Sequence, residues 1–367
     1  MVYRETASNT SAQGEIVPVG EGQSDGGSAV TLDDLARLAG VSRASASRAL
    51  NQRAGVRPEI RERVTHLAAS LGYRPNRAAR NLATGRSSVI GLVIPSADLR
   101  VDPYGAAMIH AVARAATEAD QGLMLILDGE GPGRAVRHIL RDGLIDGVIV
   151  SAVAAGEGWV EELLNAELPT VLIGSHPTRT DVDVVDVENE LASVRLTEHL
   201  FDQGCRRLAT VTGPLERVDA QLRLAGFRAA HDRRRVRLDE RLVIEGDFGR
   251  VSGVKAGERI ATMRGRQRPD GVVAANDEMA LGVIKALTHA GLAVPDDVAV
   301  VGFDGTASDA DVVEITVTSV RQPFGEIATA AVDELVARID GSPPKGRIVI
   351  DPELIVAQSS DRPGHPP

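Results

Sequence analysis

The chain has 367 residues, 43% hydrophobic and 25% charged, with a formal net charge of −10; this is ordinary globular composition, with room for about two or three units of ~100–200 residues each. No apolar run approaches the ~18 residues of a membrane helix, and residues 1–28 have neither the basic start nor the apolar stretch of a signal peptide. The single cysteine, Cys205, excludes an internal disulfide and a thiolate metal cluster, and a cytoplasmic location is expected.

In chain order, residues 1–28 are rich in Gly, Ser, Gln and Thr without apolar period and are expected to be a disordered tail. Residues 29–86 then hold eleven arginines against Asp33, Asp34, Glu59 and Glu62, a net of +7 that leaves −17 for the remainder. A short basic module on an acidic body suits a unit that touches phosphates joined to one that does not.

Within this module Thr31 is placed to cap a helix over Leu32–Ala39, with Leu35, Leu38 and Ala39 on one face and Gly40 ending it. Ser42 caps a second helix, Arg43–Leu50, whose outer side offers Arg43, Ala44, Ser45, Ser47 and Arg48. Short side chains let such a helix enter a major groove, where arginine can pair with guanine. A third helix starts at Pro58 and is expected to bury Ile60, Val64, Leu67, Ala68 and Leu71. The stretch Tyr73–Ala83 is a short helix candidate, too short to hold in water alone.

From Val89 onward apolar strand runs alternate with amphipathic helical stretches. Strands are expected at Val89–Pro95, Leu123–Leu127, Gly147–Val150, Thr170–Ile173, Leu208–Thr212, Gly271–Ala275 and Val298–Phe303, and helices at Ala106–Ala119, Leu191–Gln203, Ala256–Met263 and Glu278–Ala290. Alternation of this kind means parallel sheets with right-handed crossovers. About 270 residues exceed one comfortable sheet, so two α/β lobes with a cleft are expected.

The runs Val30-Thr31-Leu32-Asp33-Asp34-Leu35-Ala36, Ala39-Gly40-Val41-Ser42, Ser47-Arg48-Ala49-Leu50-Asn51 and Gly72-Tyr73-Arg74-Pro75-Asn76 resemble the head and hinge of the lactose repressor/galactose repressor family. In the body, Gly213-Pro214-Leu215, Arg223-Leu224-Ala225-Gly226-Phe227, Ala275-Asn276-Asp277-Glu278 and Val301-Gly302-Phe303-Asp304 extend the resemblance. It implies an α/β fold class: an all-α helix-turn-helix head and a two-lobed, periplasmic-binding-protein-like body with parallel sheets. It also implies a homodimeric repressor on a near-palindromic operator, with a small-molecule effector held between the lobes.

The expected organisation is a tail at 1–28, the helix-turn-helix domain at 29–75, a hinge helix at 76–86, the body at 87–360 and a tail at 361–367. Lobe one would take about 87–186 and 318–347, and lobe two about 187–317 and 348–360. The tail Ser359–Pro367 has Pro363, Pro366 and Pro367 and no heptad leucines, so it cannot extend a dimer to a tetramer by a coiled coil.

By position the resemblance puts Arg43, Ala44 and Arg48 on base-reading sites and Leu82 on the minor-groove wedge, with Thr31, Ser42, Ser45, Ser47, Asn51, Tyr73, Asn76 and Ala79 also at the DNA. It nominates Arg223, Asn276 and Asp304 as effector contacts, Phe248 as a wall, and Ser96, Asp98, Tyr104 and Ser151 from the first lobe. Asp277 is either a cap of the helix that follows or part of the same site. An arginine, an amide and a carboxylate converging on one pocket suit vicinal hydroxyls, hence a sugar-like effector.

Three departures from the family pattern stand out: Arg57 where a Ser or Thr cap is common, Ala44 too short to bond a base, and Gly174-Ser175 where many members carry Asp or Asn. The last argues for a different or smaller effector than lactose-like sugars. Gly213-Pro214-Leu215-Glu216-Arg217 resembles purine-type members locally, so a purine or nucleoside effector, and an activator rather than a repressor, stay open. An enzyme would need activated groups within reach of one another; the sequence offers no phosphate-binding glycine loop, metal-ligand spacing or nucleophile elbow, and no cofactor or metal is expected. A periplasmic sugar-binding protein would share the body but lack residues 30–84.

Overall fold

The computed structural model divides into two compact units, Met1–Ala83 and Thr84–Pro367, and describes residues 30–50, 52, 54–73, 85–95, 102–128, 133, 136–137, 139, 141, 143–151, 158–176, 178–307 and 315–362. The first unit holds α1 (Leu32–Leu38), α2 (Arg43–Leu50) and α3 (Pro58–Ser70). Thr31 starts α1 through a reciprocal capping box: its Oγ1 accepts from the Asp34 amide at 3.2 Å, and the Asp34 carboxylate accepts from the Thr31 amide at 3.2 Å. Gly40, at φ +65°, takes the left-handed turn that ends α1, and Val41 N–H closes it on Ala36 O. Ser42 Oγ then accepts from the Ser45 amide at 3.1 Å and starts α2.

The core of this unit is Leu35, Ala36, Ala39, Ala46, Ala49, Val64 and Ala68. Of the expected core residues, Ile60 and Leu67 pack against it only partly buried, and two others are not part of it. Leu38 is 58% and Leu71 37% exposed: Leu38, three residues on from Leu35, falls off the edge of the buried stripe, and Leu71 lies past the last turn of α3. Arg57 precedes α3 without a side-chain cap, and Pro58 takes the first helical position.

The second unit is built on two six-stranded sheets. The first runs β11-β5-β4-β3-β1-β2, with β1 (Val89–Pro95), β2 (Gly122–Asp128), β3 (Gly147–Ser151), β4 (Thr170–Ile173), β5 (Asp183–Val187) and β11 (Arg347–Ile350), every pairing parallel. The second runs β12-β10-β9-β8-β6-β7, with β6 (Leu208–Thr212), β7 (Val243–Glu245), β8 (Gly271–Ala274), β9 (Ala299–Asp304), β10 (Thr318–Arg321) and β12 (Glu353–Ile355). Only β10 with β12 is antiparallel, in the register Ser319↔Ile355.

Around the first sheet lie α4 (Pro103–Glu118), α5 (Gly158–Leu164) and α10 (Phe324–Ile339); around the second lie α6 (Asn189–Asp202), α7 (Val218–Arg234), α8 (Arg250–Thr262) and α9 (Asp277–His289). Helix α4 begins three residues before the apolar pattern suggests, because Pro103 fits its first position and Asp102 caps Gly105 N–H at 2.6 Å. Helices α8 and α9 pack backbone to backbone: a Cβ on Gly253 would stand 2.3 Å from Met279 O.

The chain passes between the sheets three times, at residues 188, 322–323 and 351–352. This corrects the expected lobe boundaries. Segment 318–321, assigned above to lobe one, is a strand of the second sheet, and residues 348–350, assigned to lobe two, complete β11 in the first. Both strands lie at or next to a sheet edge, where apolar pattern is weak, and only pairing partners reveal which sheet they join.

Candidate functional site

In the first unit α2 buries Ala46 and Ala49 and turns Arg43, Ala44 and Arg48 outward, with Ser45 and Ser47 half-buried beside them. The Ser42 and Ser45 hydroxyls are 2.9 Å apart, so the first turn is internally bonded. The Arg43 side chain is 66% exposed, and among the described residues its ion-pair contact is Asp33 at 3.6 Å, an exposed pair worth little. Tyr73 is half-buried against the small core, its amide bonded to Ala68 O. Thr31 sits at the start of α1 as its cap. Asn51, Asn76, Ala79 and Leu82 lie outside the described residues.

In the second unit the strand order reverses beside β1 and beside β6, and ligands of such sheets bind past the carboxyl ends of strands at these switch points. A cleft lies there, with walls from both sheets; Tyr104, Ser175, Asp186, Asn189, Arg217, Asp219, Arg223 and Gln322 are its polar lining. Of the effector residues expected from sequence, Tyr104 and Arg223 line it. Ser96 and Asp98 lie outside the described residues.

Arg223 organises this wall. Its Nε donates to Asn189 Oδ1 at 2.9 Å, its Nη1 donates to Ala275 O at 2.5 Å and stands 3.6 Å from Asp304 Oδ1, and its guanidinium lies 3.6 Å from the Phe303 ring centroid. Asn189 passes the network on, donating through Nδ2 to Asp186 Oδ1 at 3.0 Å, and Ser175 Oγ donates to Asp186 Oδ2 at 2.6 Å. Asp186 belongs to the first sheet and Arg223 to a helix over the second, so one chain of bonds runs across the crossing segments. Burial raises the Asp186 carboxyl above its ordinary range, against the lowering effect of Ser175.

Asp304 closes the strand β9 at φ +106°, a left-handed value that costs a non-glycine residue strain. Gln322 Nε2 donates to its Oδ1 at 2.7 Å. Burial pushes its pKa up to about 7, although Arg223 pulls the other way. The hydroxyl of Tyr104 is likewise pushed up to about 12 by burial, and its ring packs edge-on against Phe324 at 5.5 Å. Ser151, at the end of β3, is fully buried, and it acts on the Tyr104 hydroxyl, lowering its pKa against the effect of burial.

The remaining nominees do supporting work. Asn276 is the cap of α9, accepting from Met279 N–H, and its Nδ2 holds Phe248 O. Asp277 therefore does not cap that helix: its Oδ2 takes the amides of Thr306 and Ala307, its Oδ1 takes the Ser319 hydroxyl, and burial raises its pKa to about 6. Phe248, at φ +64°, lays its ring on Gly213, where any Cβ would stand 2.1 Å from the ring.

Sequence reasoning missed Asp186, Asn189, Arg217 and Asp219. The available signal was the pair of acids in the apolar run Asp183-Val184-Val185-Asp186-Val187 and the i, i+2 pair Arg217 and Asp219. The Gly174-Ser175 departure does not remove polarity, since Ser175 delivers Asp186 in its place. Among the described residues no group of three or more His, Cys, Asp or Glu is placed to hold a metal ion, and no helix is long and apolar enough to cross a membrane.

Comparison with known proteins agrees with both units. The model of bacterial regulatory proteins, lacI family, matches residues 31–76, and that of the periplasmic binding protein-like domain matches residues 197–360. The catabolite control protein A of Priestia megaterium is 30% identical over 91% of this chain and 99% of its own length, and the ribose operon repressor of Escherichia coli K12 is 31% identical over 84% and 93%. Among solved structures, the lac repressor dimer bound to operator and the anti-inducer ONPF superposes with a TM-score of 0.73 at 27% identity, covering 91% of this chain and 99% of that one. The complex of the transcriptional regulator CelR with cellobiose gives 0.68 at 32% identity, covering 90% and 99%. With a helix-turn-helix head, a two-sheet body and full-length relatives at this identity, the chain belongs to the lacI family of bacterial regulatory proteins.

Proposed function

We propose that this protein is a transcription repressor that binds a near-palindromic operator as a dimer and is controlled by a small sugar-like molecule in the cleft of its second unit. The observation that carries the reading is the outward face of α2, where Arg43 and Arg48 flank the short Ala44 beside a bonded serine turn. That face fits a major groove and offers two forks for guanine. The relatives named as repressors, and the solved structures named with an operator or with cellobiose, support the same assignment.

For the effector, the cleft offers carboxylate acceptors at Asp186 and Asp219 beside the guanidinium groups of Arg217 and Arg223, which hold that wall in place, a set matched to hydroxyl groups. The aromatic faces nearby are engaged: Phe248 on Gly213, Phe303 under Arg223, Tyr104 against Phe324. A purine would need an open face to stack on, so the sugar reading is favoured. The test is selection of an operator from a random DNA pool, followed by fluorescence anisotropy with sugars, polyols and nucleobases added. Failure to enrich any sequence above random DNA refutes the repressor; release or tightening by a nucleobase alone refutes the sugar.

A further inference from the structure

The cleft wall carries two guanidinium groups, and both are already committed. Arg217 grips Asp219 at two points, Nε to Oδ1 at 3.1 Å and Nη2 to Oδ2 at 2.8 Å, with its plate 5.1 Å from the Phe248 ring centroid. The two side chains are 23% and 20% exposed, so the pair forms part of the cleft surface and is neither solvated nor sealed off. Arg223 is spent on Asn189, Ala275 and Asp304. Three carboxylates stand with them: Asp219 on Arg217, Asp304 against Arg223, and Asp186, which also faces Arg347 at 3.5 Å.

Asp219 also occupies the first turn of α7, where it accepts from Ala220 N–H at 3.0 Å. A helix N-terminus is otherwise an anion site; here the chain supplies its own anion. Burial by itself would raise the Asp219 carboxyl, but Arg217 outweighs that effect and holds it below its ordinary range, so it stays ionised.

We propose that Asp219 is a specificity-determining residue of the cleft, closing Arg217 in a two-point pair so that an uncharged polyhydroxylated ligand is admitted and its phosphate ester is refused. The proposal rests on the sugar reading above. A neutral hydroxyl bonds to the outer lone pairs of Asp219 and Asp186 without breaking any pair. A phosphate must take Arg217 away from Asp219 and leave that carboxylate half-desolvated beside a second anion, which is unfavourable on both counts.

The experiment measures thermal stabilisation of the full chain by D-ribose, D-ribose 5-phosphate, D-glucose and D-glucose 6-phosphate. The proteins are wild type, Asp219→Asn, Asp219→Ser and the double variant R217Q/D219N. The serine variant keeps an acceptor for Ala220 N–H if the asparagine folds poorly. The basic head is the same in all four, so differences between them report on the cleft. In the wild type at least one neutral sugar stabilises more than its ester. Removing the carboxylate raises the ester's affinity relative to its parent at least tenfold, and the double variant loses that gain. A wild type that binds the ester as tightly as the parent, or folded single variants without the gain, overturns the charge filter alone. Stabilisation of none of the proteins by any of the four compounds counts against the sugar reading and removes this inference with it.

Discussion

Arginine does opposite things in the two units. On α2 the Arg43 side chain is 66% exposed and touches one exposed carboxylate at 3.6 Å; in the cleft the Arg223 side chain is 8% exposed and is held by an amide, a carbonyl, a carboxylate and an aromatic face. An exposed ion pair is worth about 0–1 kcal/mol, so Arg43 is free at little cost to meet a partner outside the molecule. A buried guanidinium that loses or abandons its partners is expensive. The head keeps its charges available, and the cleft spends them on its own architecture before any ligand arrives.

The largest expected effect tests that contrast directly. Arg223→Ala leaves Asn189 Oδ1 and Ala275 O without their donor and Asp304 without its cation and should cost about 3–5 kcal/mol of stability, read from the urea midpoint. A loss under about 1 kcal/mol would mean that the network is ornamental. Arg43→Ala, by contrast, should leave the urea midpoint within about 0.5 kcal/mol and remove about 1–3 kcal/mol of affinity for the selected operator, with little change on random DNA. Equal losses on both DNAs would make Arg43 a phosphate contact.

Carboxyls titrate in both senses: Asp219 in the body is held low by Arg217, while two buried neighbours are raised. Asp304 and Asp277 have pKa values raised by burial to about 7 and about 6, so they bind protons more tightly folded than unfolded. Their contribution is fully present below the unfolded value near 3.8 and is lost as pH rises through 6 and 7. Asp34 in the head is lowered, chiefly by its bond with the Thr31 side chain; its contribution is present above about 3.8 and is lost as pH falls. These two carboxyls should therefore contribute a decline between pH 4 and 7, by at most about 1.4 kcal/mol per pH unit for each, opposed by His199 and His231, whose pKa values burial lowers and which therefore favour the fold as pH rises. Asp304→Asn should flatten the upper part of that decline and Asp277→Asn the lower. An unchanged slope in Asp304→Asn would place the titration elsewhere.

The same contrast governs what was legible in the sequence. Thr31, Gly40, Ser42 and Pro58 act within a few residues of themselves, through caps and turns, and each is found in the expected role. The central strands were equally readable, because a parallel strand covered on both faces is a continuous apolar run. Asp186, Asn189 and Asp219 were not: Asn189 answers to Arg223, 34 positions away, while Asp186 and Asp219 bond to near neighbours, Asn189, Ser175 and Arg217, and only the fold brings these local groups to one cleft. Asn276 and Asp277 were placed in the right neighbourhood, but their bonds turn them toward α9 and the loop at residues 305–307. The motif marks the place, and geometry decides which of its side chains faces the cleft.

The smallest expected effect concerns the cap that starts the head. Thr31 accepts from the Asp34 amide and, through its own hydroxyl, donates to Asp34 Oδ2 at 2.7 Å, so Thr31→Ala removes both halves of that exchange. Losing such a cap costs about 1 kcal/mol. In a unit with a core of seven buried residues, five of them alanine, that is a larger share of the total than it would be in the body. Amides of α1 should exchange about fivefold faster, the factor that corresponds to about 1 kcal/mol, while those of β8 and β9 keep their rates. Thr31→Ser, which retains the hydroxyl, should restore slow exchange, and the acid sensitivity carried by Asp34 should shrink in the alanine variant but not in the serine one. If exchange in β8 and β9 accelerates as well, the two units do not unfold independently, and the division of labour between an open head and a pre-paired cleft has to be redrawn.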